Sequence, residues 1–244
     1  MGAEIPAAVI EILRDAKNIL VLTGSGVSAE SGVPTFREAQ SGLWAEFDPQ
    51  ELATPEAFLQ DPVLAWRWYR WRRKLVAEAE PNPGHFALAA LEDQVPEMTL
   101  ITQNVDGLHQ RAGSQHVTEF HGNLFTTRCF VEDTLEDDDP SSADPRCRRC
   151  GGHLRPGVVW FGEAIPKLAL KVATEAADDC DVFLSIGTSS LVWPAAGFAA
   201  AAAQRGATVI EINIDPTPLS SRCDFALQGA SGELLPELVR RLAI

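Results

Sequence analysis

A short apolar segment, Ile19–Leu22, runs directly into Thr23–Arg37, a loop rich in glycine and small hydroxyl residues. A buried strand that ends in such a loop brings backbone N–H groups close to a bound phosphate, because glycine has no side chain to hold the phosphate away. The segment is not the GxGxxG fingerprint of dehydrogenases, since the next glycine after Gly26 is Gly32. The loop therefore predicts a nucleotide site, with a plain tight turn as the alternative interpretation of its first two glycines.

Further apolar and β-branched segments alternate with segments of helical periodicity. The predicted strands after the first one are Met98–Thr102, Val117–Phe120, Val182–Ile186, Thr208–Ile214 and Phe225–Leu227. Segments this apolar suit strands that are buried on both faces, as in a parallel sheet. The alternation predicts an α/β fold with a doubly wound, Rossmann-like parallel sheet, whose ligand lies over the carboxyl ends of the strands.

Helices are predicted from apolar periodicity together with start and stop residues. They span residues 1–17, 62–79, 83–94, 194–206 and the C-terminal segment from Ser231 onward. Asp61 before Pro62 is a good cap followed by a proline at the first helical position, and Ser231 is predicted to cap the last helix.

Two stretches interrupt the alternation of strands and helices. Residues 38–80 contain predicted helices and no strand, and residues 125–156 contain three cysteines and the acidic segment Glu132–Asp139. We expect these stretches to form a smaller inserted lobe, made of a helical module and a Cys-containing module. The Rossmann-like domain is then expected to consist of residues 1–37, 81–124 and 157–244.

The charge and composition of the chain exclude several classes of partner. The formal net charge is −14, which disfavours binding to nucleic acid. No apolar segment approaches the roughly 20 residues of a membrane span, so no membrane partner is expected. The first residues lack the features of a signal peptide, and an odd number of cysteines, five, favours reduced thiols or a metal over disulfides. We therefore expect a cytoplasmic protein, whose oligomeric state the sequence leaves open.

Two further segments carry polar side chains at the ends of predicted strands. Thr102–His109 contains an amide pair and an acid, and His121-Gly122 ends the next strand. Such side chains need partners, because unpaired burial is costly, and an asparagine offers both a donor and an acceptor to a ligand amide. Together with Thr23–Arg37, these segments resemble the sirtuins, the NAD-dependent protein-lysine deacylases.

The resemblance extends over nearly the whole chain and implies NAD as cosubstrate. It implies that Asn104 and Asp106 lie in the nicotinamide pocket, that Gln103 contacts the ribose, and that His121 is the catalytic base. Imidazole suits that role because its pKa lies near neutral pH. His85, by contrast, is interpreted as a helix-start residue with a packing role. The other implied NAD contacts are Gly24, Ser25, Gly26, Ser28, Ala29, Glu30, Pro34, Thr35, Phe36, Arg37, Trp44, Val105, Gly187, Thr188, Ser189, Asn213, Ile214, Asp215 and Ser231.

The resemblance also implies acylated lysines of proteins or peptides as the second substrate. The segment Val158–Glu163 resembles the sirtuin segment that lines the acyl-lysine channel and pairs with the substrate backbone as an added strand. An ordinary edge strand is the alternative, and both interpretations can hold at once. The substrate-binding residues implied in this segment are Val158, Phe161, Gly162 and Glu163.

A second candidate substrate-binding feature lies on the helix predicted after Pro62. Tyr69 and Arg72 are three residues apart and therefore share one helix face. A phenol and a guanidinium on one face can bind a carboxylate, and this Tyr-x-x-Arg resembles the signature of sirtuins that remove succinyl and malonyl groups. The alternative is an interfacial helix with its tryptophans inward and its arginines solvated.

The cysteines depart from the sirtuin pattern, in which two C-x2-C pairs hold a structural zinc. Cys147 and Cys150 form one intact pair, and a second pair would begin at Cys129, but Glu132 stands where its second cysteine is expected. The three cysteines are the predicted zinc ligands, and the site is degenerate if no fourth ligand exists. The candidates for that fourth ligand are Glu132, Asp133 and His153.

The reaction implied by the resemblance removes an acyl group, succinyl or malonyl and also acetyl, from a protein lysine. The products are nicotinamide, free lysine and O-acyl-ADP-ribose. Two other functions stay open at this point: an NAD sensor that has lost turnover, and ADP-ribosyl transfer to a protein side chain, which begins at the same ribose carbon.

Overall fold

The computed structural model describes residues 5–34 and 52–243. Four of the predicted NAD contacts therefore lie outside the described residues: Thr35, Phe36, Arg37 and Trp44. The strands are Asn18–Thr23 (β1), Glu97–Thr102 (β2), Val117–Glu119 (β3), Gly122–Cys129 (β4), Leu154–Val158 (β5), Val182–Ile186 (β6), Thr208–Asn213 (β7) and Phe225–Gln228 (β8). The α-helices are Ala7–Asp15 (α1), Gly26–Ala29 (α2), Pro55–Gln60 (α3), Pro62–Glu78 (α4), Pro83–Glu92 (α5), Leu108–Arg111 (α6), Lys167–Asp179 (α7), Phe198–Gln204 (α8) and Ser231–Leu242 (α9).

A six-stranded sheet forms the centre of the fold, in the order β3-β2-β1-β6-β7-β8, with every neighbouring pair parallel. The strand order reverses between β1 and β6, which creates a topological switch point. Thr23, the last residue of β1, is in register with Thr102 of β2 and Ile186 of β6. The loops after these three strands therefore leave the sheet side by side. The predicted doubly wound parallel sheet is confirmed.

Helices cover both faces of the sheet because the strand side chains alternate between the faces. In β1, Val21 packs into a cluster with residues of α1, α5 and α9, whereas Leu20 packs into a second cluster with the alanine-rich faces of α7 and α8. Within the described residues, no helix is both long enough and apolar enough to cross a membrane.

A third hydrophobic cluster joins α4 to the antiparallel pair β4–β5. Trp66 and Trp68 of α4 are fully buried in it, and Asp61 caps the helix by accepting a hydrogen bond from Leu64 N at 2.9 Å, as predicted. The pair β4–β5 was missed by the sequence analysis, since β4 has a register irregularity and β5 contains Pro156 and Gly157, which weaken a strand pattern. Both strands cross the expected boundaries between the inserted lobe and the Rossmann-like domain, β4 after residue 124 and β5 after residue 156.

Two predicted helix starts differ from the structure. Ser231 is the first residue of α9, and Ala230 is its N-cap without a side-chain hydrogen bond, so the predicted serine cap is wrong. The segment after Pro194 begins with a 3₁₀ turn, Ala195–Gly197, before α8 starts at Phe198.

Candidate active site

The loops after β1 and β6 interlock through their glycines. Gly24 N–H donates to Ile186 O at 3.0 Å, and Gly26 N–H donates to Gly187 O at 2.8 Å. A Cβ on Gly24 would lie 2.7 Å from Thr188 Cα, so only glycine lets the two backbones touch. These two N–H groups have carbonyl partners within the protein, so the glycines serve loop packing, and their predicted contact with the NAD pyrophosphate stays a prediction.

Ser28, Asn104 and Asp106 form a buried, hydrogen-bonded cluster at the ends of β1 and β2. Ser28 Oγ donates to Asp106 Oδ2 at 2.7 Å, and Asn104 Nδ2 donates to Ser28 Oγ and to Gly24 O, each at 3.0 Å. Leu108 N–H donates to Asp106 Oδ1 at 2.9 Å. The structure therefore brings together three of the predicted site residues, and their bonds fix the orientation of each side chain.

His85 joins this cluster, although sequence reasoning gave it only a packing role. Its Nδ1 accepts a hydrogen bond from Asn82 N–H at 3.3 Å, so the proton of the neutral ring resides on Nε2. Nε2 lies 3.4 Å from Ser28 Oγ. Burial lowers the pKa of His85, which the charges of Asp106 and Glu30 oppose. The only sequence signal is the Asn-x-x-His spacing of a capping box, which reveals the helix start and not the contact with Ser28.

His121 follows β3 and lies next to the loop after β2. Its Nδ1 is 3.0 Å from Gln103 O. A carbonyl oxygen only accepts hydrogen bonds, so Nδ1 carries the proton and Nε2 keeps its lone pair. Burial lowers the pKa of His121, and the bond to Gln103 offsets part of that shift. The ring is therefore neutral at pH 7 and offers Nε2 as a base, which is the protonation state that the predicted role requires.

The Gln103 side chain connects the β2 and β6 loops. Gln103 Nε2 donates to Thr188 Oγ1 at 2.9 Å and to Thr23 O at 3.3 Å. Thr188 in turn receives a hydrogen bond on its carbonyl oxygen from Asn213 Nδ2 at 2.9 Å. A continuous polar path therefore runs along the carboxyl ends of β2, β1, β6 and β7.

The residues predicted on the adenosine side lie at the end of this path. Asn213 Oδ1 accepts from Ile214 N–H at 2.9 Å, so both ends of the amide are engaged within the protein. Ile214 and Asp215 are exposed after β7, and Ser189 is half-buried after β6. Among these residues, Asp215 is exposed and has carboxylate oxygens that can accept hydrogen bonds from a ligand.

Glu30 and Ser231, both predicted to contact NAD, also contact each other. Glu30 Oε2 accepts from Ser231 Oγ at 3.2 Å and from Gly232 N–H at 2.8 Å. A carboxylate at this position satisfies free N–H groups in the first turn of α9 and suits the positive end of the helix dipole. These contacts give the two residues a structural role that joins the first loop to the last helix.

The remaining residues predicted in the first loop and after β2 are placed as follows. Ser25 is the N-cap of the short helix α2 and Ala29 is its last residue. Pro34 is the last described residue of its segment. Val105 packs against the third cluster, and its carbonyl accepts from Leu124 N–H at 2.8 Å.

Tyr69 is buried on α4 and faces the loop after β5. Its hydroxyl accepts a hydrogen bond from Trp160 Nε1–H at 2.7 Å. Burial raises the pKa of Tyr69 to about 12, with Arg72 opposing the shift, so the phenol keeps its proton at neutral pH. Arg72 is half-buried, and its guanidinium carbon lies 5.0 Å from the centre of the Trp68 ring. Burial lowers the pKa of Arg72, and electrostatic interactions with the ionised forms of Tyr69 and Asp106 oppose that shift.

The predicted substrate segment begins at the end of β5 and is hydrogen-bonded to His121, the candidate catalytic base. Val158 is buried and pairs with Gly122, which agrees with an edge strand, and Val159 N–H donates to His121 O at 2.9 Å. Phe161 is 43% exposed, so its ring is accessible to a partner. Gly162 has φ of +85°, a left-handed conformation that favours glycine at this turn.

Glu163 holds the turn that contains Phe161 and Gly162. Arg155 donates to both of its carboxylate oxygens, at 2.5 and 2.9 Å, and Trp160 N–H donates to Oε2 at 2.8 Å. The guanidinium carbon of Arg155 also lies 3.4 Å from the centre of the Trp160 ring. Both oxygens of Glu163 are thus engaged, so the structure gives this residue a positioning role, and its predicted substrate contact stays a prediction.

Three cysteines and one glutamate converge beside β4 and β5. Every pair of potential ligand atoms from Cys129, Glu132, Cys147 and Cys150 lies within 4.8 Å. The Sγ atoms of Cys129 and Cys150 are 3.5 Å apart. Three thiolates and a carboxylate are all ligand types that zinc accepts, and four donors suit its tetrahedral geometry. The donor set therefore fits the structural zinc that the sequence predicts.

The two other candidates for the fourth ligand have partners elsewhere. Asp133 forms an ion pair with Arg128 at 2.8 Å. His153 Nδ1 lies 2.7 Å from Asp144 Oδ1. Of the three candidates, Glu132 alone belongs to the cluster within the described part of the chain.

The switch point, the buried polar cluster and the neutral histidine together define a nucleotide-binding α/β protein of the doubly wound class. The model of the Sir2 family matches residues 24–194. The chain is 50% identical over 240 residues to an NAD-dependent protein deacylase of Methylococcus capsulatus, with 94% of each chain covered.

Solved structures give the same relationship. The crystal structure of a Sir2 homolog–NAD complex has a TM-score of 0.93 and 43% identity, with 99% of this chain and 95% of that chain covered. A substituted Sir2 homologue in complex with 2′-O-acetyl ADP-ribose has a TM-score of 0.92 and 44% identity, with 98% of this chain and 97% of that chain covered. The chain belongs to the Sir2 family, the sirtuins that its motifs resemble.

Proposed function

We propose that this protein is an NAD-dependent protein-lysine deacylase that releases nicotinamide and O-acyl-ADP-ribose. The observation that carries the proposal is the state of His121, a neutral imidazole with a basic Nε2, whose Nδ1 donates to the carbonyl of Gln103, the residue before Asn104 of the buried polar cluster. The membership of the chain in the Sir2 family and the deacylase names of its relatives support the same conclusion.

The proposed reaction assigns a task to each part of the site. Asn104 and Asp106 bind the nicotinamide amide, and the acyl oxygen of the substrate displaces nicotinamide at the ribose C1′. His121 Nε2 then removes a proton from the ribose hydroxyls, so that the 2′ oxygen attacks the acyl carbon. Water finally releases lysine and O-acyl-ADP-ribose.

NAD is proposed to lie along the carboxyl ends of the strands, with its adenosine half toward Asp215. A smaller lobe made of residues 38–80 and 125–156, beside a Rossmann-like domain made of residues 1–37, 81–124 and 157–244, stays a proposal. The third hydrophobic cluster supports such a lobe by joining α4 to the pair β4–β5, with both strands extending past its expected boundaries. A cytoplasmic location remains an expectation from the sequence.

We further propose that succinyl- and malonyl-lysine are preferred over acetyl-lysine. Tyr69 is a protonated donor at neutral pH, and Arg72 is a half-buried cation on the same helix face. A negatively charged acyl group would accept a hydrogen bond from the phenol and pair with the guanidinium, whereas an acetyl group has no carboxylate to offer.

The activity is tested by incubating the protein with NAD and an acyl-lysine peptide while nicotinamide, free lysine and protein-bound ADP-ribose are followed. His121→Ala is expected to retain NAD binding and to lose about 10²- to 10⁴-fold in deacylation, the usual range for removal of a general base. Near-normal turnover by this variant would overturn the role of His121. NAD binding without nicotinamide release would indicate a sensor, and protein-bound ADP-ribose without free lysine would indicate ADP-ribosyl transfer.

The acyl preference is tested with Arg72→Met, and Arg67→Met is the matched control because Arg67 is exposed on the same helix. Arg72→Met is expected to reduce kcat/KM for a succinyl peptide about a hundredfold, equivalent to ~2.7 kcal/mol of transition-state stabilisation, while sparing the acetyl peptide. Arg67→Met is expected to leave both values unchanged. Equal losses on both peptides would mean that Arg72 supports the fold and does not select the acyl group.

A further inference from the structure

The two loops that carry the metal-ligand candidates have matching backbones. In the first loop, Asp133 N–H donates to Cys129 O, and in the second, Gly151 N–H donates to Cys147 O, each at 3.0 Å. Asp133 and Gly151 both have left-handed φ values, +57° and +72°. Glu132, which precedes Asp133, therefore occupies the position in its loop that a cysteine occupies in the other.

The first sulfur atom of each loop accepts a backbone hydrogen bond, from the third residue after Cys129 and from the second residue after Cys147. Glu132 N–H donates to Cys129 Sγ, and Arg149 N–H donates to Cys147 Sγ, each at 3.4 Å. These hydrogen bonds orient the two sulfur atoms. The two loops thus provide four ligand positions, three occupied by cysteines and one by the carboxylate of Glu132.

Arg149 bridges the two loops through its side chain. Its Nε lies 3.2 Å from Glu132 Oε2, although the arginine belongs to the loop of Cys147 and Cys150. An arginine that holds one carboxylate oxygen restricts the rotation of the glutamate and leaves the other oxygen for a metal. The positive charge also offsets part of the negative charge that three thiolates and a carboxylate bring together.

We propose that Glu132 is the fourth ligand of a three-thiolate, one-carboxylate zinc site, and that Arg149 is the positioning residue that holds its carboxylate toward the metal. A carboxylate binds zinc less strongly than a thiolate in such a soft donor set. The site therefore releases zinc more readily than the same two loops would with four cysteines. This inference does not depend on the deacylase proposal.

A second carboxylate provides the competing assignment. Glu136 Oε1 accepts a hydrogen bond from Cys147 Sγ at 3.3 Å, which places it beside one ligand and outside the group of four. If Glu136 were the oxygen ligand, its removal and not that of Glu132 would release the metal.

The test uses the full-length protein and measures zinc content after purification and zinc transfer to a chromogenic chelator. Glu132→Gln and Arg149→Met are expected to weaken zinc retention, by about 10- to 100-fold for the arginine, the usual effect of losing an outer-shell partner. Arg148→Met is the matched control, since Arg148 is an exposed arginine one residue away. Glu136→Gln and Arg148→Met are expected to retain zinc like the unchanged protein, and Glu132→Cys is expected to release it more slowly.

A spectroscopic measurement covers the case in which Glu132→Gln fails to fold. Cobalt replaces zinc in the unchanged protein and in Glu132→Cys, and the thiolate-to-cobalt charge-transfer absorption is expected to increase in the variant because a fourth thiolate is added. Equal absorption in the two proteins would overturn the assignment of Glu132, as would zinc loss from Glu136→Gln with retention by Glu132→Gln. Equal zinc retention by Arg149→Met and Arg148→Met would overturn the role of Arg149.

Discussion

His109 provides a quantitative test of how the buried core beneath the site responds to acid. Its side chain is 1% exposed on α6, and its Nε2 lies 3.0 Å from Thr23 Oγ1. Thr23 Oγ1 donates its own proton to Thr102 Oγ1, so the imidazole donates from Nε2 and remains neutral. Burial, together with the neighbouring His85 ring at 4.8 Å, lowers the pKa of His109 to about 3.

The direction of the stability change follows from the pKa of His109 in the folded and unfolded states. The folded-state pKa lies below the value of 6.5 expected for the unfolded chain, so only the unfolded state takes up a proton as the pH falls from 7 to 5. The stability contributed by neutral His109 is therefore present above pH 6.5 and is lost on acidification toward pH 3. Integrating the proton uptake over the interval from pH 7 to pH 5 gives a loss of about 2 kcal/mol in the free energy of unfolding.

The assay compares the unchanged protein with His109→Gln, which keeps an N–H donor near Thr23. Between pH 7 and pH 5 the unchanged protein is expected to lose about 2 kcal/mol more than the variant, or about 4–8 °C more in Tm for a chain of this size. NMR of the folded protein is expected to show no titration of the His109 ring over this interval. Equal acid sensitivity of the two proteins, or a ring that titrates near its ordinary value, would refute the reasoning.

Three further predictions concern residues that hold the loops and helices around the site in position. Gly187→Ala is expected to unfold at lower temperature and bind NAD more weakly than Gly206→Ala, because both glycines have positive φ but only a Cβ on Gly187 would meet backbone, 2.5 Å from Val27 N. Calorimetry and NAD titration check this, and equal effects would contradict it. Glu163→Ala is expected to raise KM for the peptide while leaving NAD affinity unchanged, because it releases the turn held by Arg155 and not the nucleotide loops; a change confined to NAD affinity would argue against this. Asp61→Ala is expected to cost about 1 kcal/mol of stability by denaturant unfolding, the usual value of a helix N-cap, and a shift in acyl preference would show that the cap also orients the substrate face of α4.

The local parts of the fold were accessible from the sequence. The buried strands β1, β2, β6 and β7 appear as continuous apolar segments, because each is covered on both faces. The polar residues that follow them, such as Asn104 and Asp106, could be assigned to one edge of the sheet, since parallel strands end at a common level. The cysteine spacing likewise predicted the metal ligands within each loop, because ligands with two residues between them in a tight loop converge locally, whereas the pairing of β4 with β5 brings the two loops together.

The tertiary structure decided the contacts between segments that are distant in the sequence. His85 meets Ser28 although 57 positions separate them, and Glu30 meets Ser231 across 201 positions. No local pattern encodes such a pair, because its geometry depends on how α5 and α9 pack against the first loop. For the same reason the sequence showed that Gly24 and Gly26 lie in a special loop but not why: the glycines bring two backbones into contact, which is a property of the β1 and β6 loops together and of neither segment alone.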